Sequence, residues 1–176
     1  MKKIFFLTVL SALFLVSSVA PPDRLEKKLN QLISNDFSVT SFELHEIGYP
    51  EHIKASLPNA FLLADFFRVE SSSETIGFAY LGQGPSKTDV YDFAVIFDAN
   101  LLVRSVKILQ YREDYGGEIA SKRWLRQFLG KSTESEFIVG ENIAAISGAT
   151  ISVRSMTAMI NQVFDAVEVL KTGNIL

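Results

Sequence analysis

The apolar residues that follow position 23 lie on one stripe of a helix. Their spacings of four, three and one are typical of an amphipathic helix. They are Leu25, Leu29, Leu32 and Ile33. Asp23 stands at a favourable N-cap position and Asn35-Asp36 at a favourable end, so the sequence predicts a helix between them whose exposed face is basic.

From residue 61 the pattern changes to that of strands. Four short segments rich in β-branched and aromatic residues are separated by groups of Ser, Gly, Pro, Asp and Asn, which favour turns. The predicted strands are 61–69, 75–81, 90–97 and 101–109, and a weaker alternation at 37–47 adds a candidate strand. Connections this short favour hairpins, so we expect an antiparallel meander in which the Gly-Gln-Gly-Pro sequence at 82–85 forms a turn.

Two further helices are predicted after the strands. The inward-facing residues of the predicted helix 119–129 are Ile119, Trp124, Leu125 and Phe128. Residues 152–170 repeat apolar positions every three or four. The expected fold class is therefore α+β: a small antiparallel sheet meander packed with helices, ending in a C-terminal amphipathic helix.

The first 20 residues have the order of a secretory signal. Lys2 and Lys3 precede an apolar run at 4–16, and small residues follow at 17–20. The run is shorter than the roughly 20 apolar residues of a membrane helix. We expect 1–20 to be a signal peptide or an uncleaved anchor, 21–60 an N-terminal helix with a connecting segment, and 61–176 the main domain. The protein is expected to be extracytoplasmic, either periplasmic or membrane-associated through its N-terminal segment.

Composition excludes several classes of function. Without residues 1–20, which hold two lysines and no acid, 15 basic residues face 20 acidic ones, and a net charge of −5 argues against a nucleic-acid partner. The absence of cysteine excludes disulfides, c-type haem attachment and cysteine-ligated iron–sulfur clusters. His45 and His52 lack a third ligand at metal spacing, so no metal site is expected. A redox centre in this chain must therefore be bound in another way, and a covalently tethered organic cofactor fits an exported protein.

The start of the last helix carries the most informative sequence, Ser147-Gly148-Ala149-Thr150-Ile151-Ser152. A helix start offers unpaired N–H groups and the positive end of a dipole, which together suit a phosphate. Gly148 and Ala149 leave room for a ligand, Thr150 could carry an ester, and Ser147 or Ser152 could donate to the phosphate. From the residues alone, an ordinary helix cap explains the same pattern.

The segment 145–152 resembles the flavinylation motif of the FMN-binding domain family, which occurs in the G subunit of the Rnf complex and the C subunit of the sodium-translocating NADH:quinone reductase. In that family a flavin transferase moves FMN from FAD onto the second hydroxyl residue of the motif, which matches Thr150 here. Further similarity lies upstream, in 111–117 and in Trp124, Phe128, Gly130 and Lys131, so that the resemblance covers about 75–170. The family's Asp three positions before Ser147 is Ala144 in this chain, and its Pro-Gly is Tyr115-Gly116.

The resemblance also implies roles beside the flavin. Glu113 would accept a hydrogen bond from a flavin N–H or a ribityl hydroxyl, or else serve as a plain turn carboxylate. Gly116 and Gly117 would bend the backbone near the ring, although an ordinary turn would use them equally well. Tyr115 and Trp124 are candidates to flank the ring. The helical spacing of Trp124 also makes it a candidate for the hydrophobic core.

The resemblance implies an exported electron carrier with FMN joined through its phosphate to Thr150. It implies no catalytic residue, because the flavin supplies the chemistry. A flavin transferase would be the maturation partner, with a redox donor and acceptor that are not specified and are candidates for membrane-bound proteins. Two alternatives stay open: a flavin-free binding or assembly module of the envelope, favoured by Ala144, and an extracytoplasmic flavin reductase.

Overall fold

The computed structural model describes residues 24–176, which form one antiparallel sheet with helices on both faces. The spatial order of the strands follows the sequence. They are β1 (Glu43–Glu46), β2 (Asp65–Ser71), β3 (Glu74–Pro85), β4 (Val90–Asp98) and β5 (Val103–Gln110). This meander confirms the expected α+β fold class. The predicted Asp23 cap and the predicted signal segment 1–20 lie outside the described residues.

The helices include one long element at each end of the described chain. They are α1 (Arg24–Phe37), α2 (Glu51–Lys54), α3 (Asn59–Leu62), α4 (Lys122–Leu125) and α5 (Thr150–Thr172). The predicted stripe of α1 is confirmed, since Leu29 and Ile33 are buried. Among the helices of residues 24–176, none combines the length and apolar character that crossing a bilayer requires.

The core lies on both faces of the sheet, with β4 at its centre. Residues 91–97 are each at most 1% exposed, so β4 is buried on both sides. On one face, Leu29 and Ile33 of α1 pack with small and aliphatic side chains of the strands. On the other, α5 packs against a group of aromatic rings that includes Tyr80, Tyr91 and Phe93. We call this side of the sheet the aromatic face, and it extends to the start of α5.

The prediction of a hairpin turn at 82–85 is wrong, because these residues continue β3 and the turn follows at 86–89. Two tyrosine rings occupy the space beside the glycines. A Cβ on Gly82 would lie 2.2 Å from the Tyr80 hydroxyl oxygen, and one on Gly84 would lie 2.4 Å from the Tyr91 ring. The glycines therefore make room for the aromatic face within a strand.

Other element boundaries also differ from the sequence pattern. Residues 59–62, where the strand 61–69 was expected to begin, form α3, which starts after Pro58. The helix expected at 119–129 is broken into α4 and two flanking 3₁₀ turns, because Ser121 is extended and its hydroxyl accepts from the Trp124 N–H. Helix α5 begins two residues earlier than the expected residue 152, so that Thr150 is its first residue.

Candidate functional site

A cleft of about 740 Å³ lies at the start of α5. We call residues 112–116, together with the tip of the β3–β4 hairpin at 87–89, the hairpin wall of this cleft. We call residues 148–152 the helix wall. Of the predicted site residues, the cleft is lined by Glu113, Gly116, Gly148, Ala149, Thr150 and Ser152, whereas Ser147 and Gly117 do not line it.

The N–H groups at the start of α5 have no partner among the described residues. Ala149 occupies the N-cap position and no side chain caps the helix. The first intrahelical bond joins the Val153 N–H to the Ala149 carbonyl at 2.9 Å. The three preceding N–H groups, of residues 150–152, therefore remain available at the positive end of the helix. Neither Ser147 nor Thr150 acts as the side-chain cap that the simpler interpretation required.

The hydroxyl of Thr150 is available as well. Thr150 is exposed, and its side chain forms no hydrogen bond within the described part of the chain. Gly148, two residues before it, has a φ of +86°, and open space surrounds the position where a Cβ would stand. Ile151 is 52% exposed and adds an apolar surface beside the hydroxyl. The helix wall thus combines unused hydrogen-bonding groups with room in front of them.

Hydroxyl groups join the two walls. The Tyr111 hydroxyl donates to the Tyr115 carbonyl at 3.0 Å and lies 2.7 Å from the Ser152 Oγ. Because the tyrosine proton is directed to Tyr115, we assign the Ser152 hydroxyl as the donor to Tyr111. Ser152 is 3% exposed. Its hydroxyl proton is thus used within the protein, and its backbone N–H is the group that it can offer to a ligand.

Gly116 fits closely under this hydroxyl pair. Its φ is +85°, and a Cβ there would lie 2.6 Å from both the Ser152 Oγ and the Tyr111 hydroxyl oxygen. Glycine is therefore required by backbone conformation and by space at the same position. Gly117 does not share this constraint, since a Cβ there would meet Tyr111 at an ordinary 3.6 Å.

Glu113 holds the tip of the hairpin. Its Oε1 accepts from the Ser86 hydroxyl at 2.7 Å, the Thr88 N–H at 2.6 Å and the Asp89 N–H at 2.9 Å. These bonds, with the Ser86 bond the largest contribution, lower the pKa of the Glu113 carboxyl to about 2. Glu113 lines the cleft, but the bonds of this oxygen are those of a turn carboxylate.

Arg112 neutralises a buried acid at the edge of the hairpin wall. Its Nη2 lies 2.5 Å from the Asp92 Oδ2, and Asp92 is 1% exposed. Asp92 also accepts from the Gln83 side-chain amide at 2.8 Å. Lys87 also lines the cleft, and its side chain forms no ion pair within residues 24–176.

The two aromatic candidates have different surroundings. Tyr115 is 84% exposed at the rim of the cleft, so its ring is available to a ligand. Trp124 is 5% exposed in the core, and its indole N–H donates to the Ala144 carbonyl at 2.7 Å. The Ala144 N–H in turn donates to the Gln127 side-chain oxygen at 2.8 Å. Both backbone groups of Ala144 are thus fixed while its side chain is exposed.

The sequence did not identify the hairpin tip as part of the site. Lys87, Thr88 and Asp89 line the cleft, yet they are 24 to 26 residues before Glu113 and belong to no motif. The available signal was the Ser-Lys-Thr-Asp sequence after Pro85, which is rich in turn formers and follows a β segment. Its contact with Glu113 depends on the strand register, which the sequence pattern did not fix.

The residues of the cleft fit FMN. The volume lies within the roughly 300–1,000 Å³ of small-molecule sites. Three free N–H groups at a helix start suit a phosphate, and the exposed Tyr115 and Ile151 offer apolar surface for a ring system. Elsewhere in residues 24–176, no group of three His, Asp or Glu side chains is arranged to hold a metal ion.

Comparison with known proteins agrees with this fit. Residues 87–165 match the family model described as FMN-binding domain, which confirms the resemblance that the motif indicated. The comparison with curated proteins found no match. The matched segment begins at the hairpin tip and includes both walls of the cleft. It indicates flavin binding and, at a general level, electron transfer. Residues 87–165 therefore match the FMN-binding domain family.

Proposed function

We propose that this protein is an exported flavoprotein electron carrier with FMN attached through its phosphate to Thr150. The observation that carries the proposal is the exposed Thr150 hydroxyl, which has no partner within the described residues and stands at an uncapped helix start inside the cleft. A flavin transferase would supply the group from FAD. The Thr150 oxygen forms a bond to the FMN phosphorus, the pyrophosphate bond of FAD breaks, AMP leaves, and the hydroxyl proton passes to solvent.

The residues of the helix wall would hold the phosphate. The free N–H groups of residues 150–152 form the positive end of the α5 dipole, which favours a negative charge there. Open space at Gly148 lets the phosphate approach the backbone. Arg154, exposed one turn into α5, adds a positive charge nearby. A covalent link at this position would keep the cofactor on an exported protein without tight enclosure.

The hairpin wall would orient the ring system. Tyr115 presents an exposed aromatic ring at the rim, and the Tyr111–Ser152 pair fixes the backbone that carries it. The bound flavin would accept electrons and pass them on. Glu113 accepts a hydrogen bond from the Asp89 N–H, and the Asp89 carboxylate accepts one from the Val90 N–H. Carboxylates held in this way suit a fixed wall better than proton transfer to a substrate.

The cellular context rests on the sequence. The signal-like order of residues 1–20 supports export, and the absence of cysteine supports an organic redox group over a metal cluster. The partners would be a flavin transferase, a redox donor and a redox acceptor outside the cytoplasm. The net charge of −5 after residue 20 supports proteins or membrane components as partners over nucleic acid.

The decisive test is flavin labelling of the polypeptide. We would coexpress the chain with a flavin transferase, denature it, and measure flavin fluorescence on the gel band and the mass of the intact protein. The wild type and Ser147→Ala are expected to gain one FMN, whereas Thr150→Val is expected to gain none. Label that persists in Thr150→Val would move the attachment to another hydroxyl, and an unlabelled wild type would contradict covalent attachment.

A second candidate, a flavin-free module of the same family, is favoured by Ala144. The variant Ala144→Asp tests it, since the backbone of residue 144 is fixed by Trp124 and Gln127 while the side chain is exposed. The substitution should therefore leave the loop in place. Label on Ala144→Asp together with an unlabelled wild type would favour the flavin-free module, and equal label on both would exclude it.

A further inference from the structure

A second concave surface lies between α1, β5 and α4, away from the cleft. It is a groove of about 610 Å³. Its apolar part includes Leu32, Val106, Leu125 and Leu129, of which Leu129 is 41% exposed. Its charged part consists of Lys107, Lys122, Arg123 and Arg126, which we call the basic rim.

The charge of the basic rim is not compensated by the protein itself. Within residues 24–176, none of its four side chains forms an ion pair. Asp36 is the acidic residue among those lining the groove, and its carboxylate accepts a hydrogen bond from the Ser105 hydroxyl. The full chain has a net charge of −3, so the groove is a local region of positive potential on an acidic protein.

The groove is linked to the motif loop through α4 and the turn that follows it. Lys122, Arg123 and Arg126 are exposed on the groove side. From the same stretch of chain, Trp124 and Gln127 hold both backbone groups of Ala144 at 2.7 and 2.8 Å. A molecule seated in the groove would therefore contact the segment that fixes the loop before Ser147.

We propose that this groove docks a protein partner through an acidic segment that also carries apolar side chains. Acidic residues would pair with the basic rim, and apolar residues would cover Leu129 and the floor beside it. The concave shape favours a protruding segment over a membrane, because a flat bilayer would touch the rim without reaching the floor. A local positive region would also orient an acidic partner that the rest of the surface repels.

The test uses a fluorescein-labelled peptide of glutamate and leucine, with a glutamine and leucine peptide as control, at about 50 mM salt so that surface charges are screened little. The test variant is Arg123→Glu with Arg126→Glu. The matched control is Arg24→Glu with Lys27→Glu, which changes the net charge by the same amount at exposed helix positions outside the groove. Circular dichroism and the urea midpoint check that each variant is folded.

The wild type and the control variant are expected to bind the acidic peptide, and the test variant to bind it about tenfold or more weakly. The glutamine peptide should bind to none of the proteins. Equal weakening in both variants would show a net-charge effect and overturn the proposal, as would absence of binding to the wild type. Binding of vesicles with about 30% phosphatidylglycerol that depends on the same two arginines, without peptide binding, would assign the groove to a membrane instead.

Discussion

The two walls of the cleft differ in how their polar groups are used. On the hairpin wall, Glu113 accepts four hydrogen bonds from the hairpin at 2.6–3.1 Å, and next to this wall the Tyr111 hydroxyl bonds both Tyr115 and Ser152. On the helix wall, the Thr150 side chain and the N–H groups of 150–152 form no hydrogen bond with the described residues.

The difference separates what the protein fixes for itself from what it leaves for a ligand. Polar groups that are used internally give a wall its shape before any ligand is present. Unused groups at a helix start gain hydrogen bonds when an anion arrives. The hairpin wall is thus preorganised, and the helix wall keeps its polar groups open to a ligand. Substitutions on the two walls should therefore differ in their effect on stability.

The largest expected difference is between two glycines of the same backbone conformation. Gly116 and Gly148 have φ values of +85° and +86°, but a Cβ would meet two oxygens at 2.6 Å at Gly116 and open space at Gly148. Gly148→Ala is expected to lower the free energy of unfolding by about 1–2 kcal/mol through backbone strain alone. Gly116→Ala adds steric overlap, for a loss of about 2–5 kcal/mol.

Urea denaturation of the flavin-free proteins measures both losses. Equal losses at the two glycines would mean that the Tyr111–Ser152 pair moves aside at little cost. The hairpin wall would then be no more rigid than the helix wall.

A smaller effect is expected from removal of one hydroxyl that joins the walls. Tyr111→Phe keeps the ring, which stacks with Tyr91 at 6.0 Å, and removes the bonds to Tyr115 and Ser152. The loss of unfolding free energy should be about 1–2 kcal/mol, because the buried Ser152 Oγ loses its partner.

Tyr80→Phe is the matched control for this substitution. The Tyr80 hydroxyl is buried and has no hydrogen-bond partner among the described residues. Its removal should be neutral or stabilising. A loss in Tyr80→Phe as large as in Tyr111→Phe would attribute the effect to ring packing rather than to the hydrogen bonds between the walls.

The sequence identified the helix wall better than the hairpin wall. Thr150 and Gly148 belong to one continuous motif at a helix start, so local pattern and resemblance were enough to find them. The hairpin tip depends on β3 continuing through 82–85, which in turn depends on tyrosines from two strands covering Gly82 and Gly84. Packing of this kind joins residues that are distant in the chain, and no local period reveals it.

The role of Glu113 shows the same limit. The motif indicated that this carboxylate lies near the site, and the cleft contains it. Its hydrogen bonds, however, come from Ser86, Thr88 and Asp89, which lie 24 to 27 residues earlier. Which donors a carboxylate meets is decided by tertiary structure, so the sequence left the turn role and the ligand role open.

The smallest effect is expected for Glu113→Gln, and it should shrink further in acid. The folded pKa of Glu113 is lowered from 4.5 to about 2, first by the Ser86 hydrogen bond. A lowered folded pKa stabilises the protein at pH values above about 4.5, and this stabilisation is lost as the pH falls from there towards about 2. The urea midpoint of the wild type should therefore fall over this range more steeply than that of Glu113→Gln.

The exposed Glu134, whose side chain forms no hydrogen bond in residues 24–176, supplies the control. Glu134→Gln should follow the wild-type profile. The pKa of Glu168 is also lowered, chiefly by the hydrogen bond from the Thr133 hydroxyl. Its loss of stabilisation in acid is the same in the wild type, Glu113→Gln and Glu134→Gln, so it does not affect the comparison. If the wild type and Glu113→Gln fall in parallel, then charge on Glu113 does not hold the hairpin tip, and the rigidity of that wall must come from the Tyr111–Ser152 pair alone.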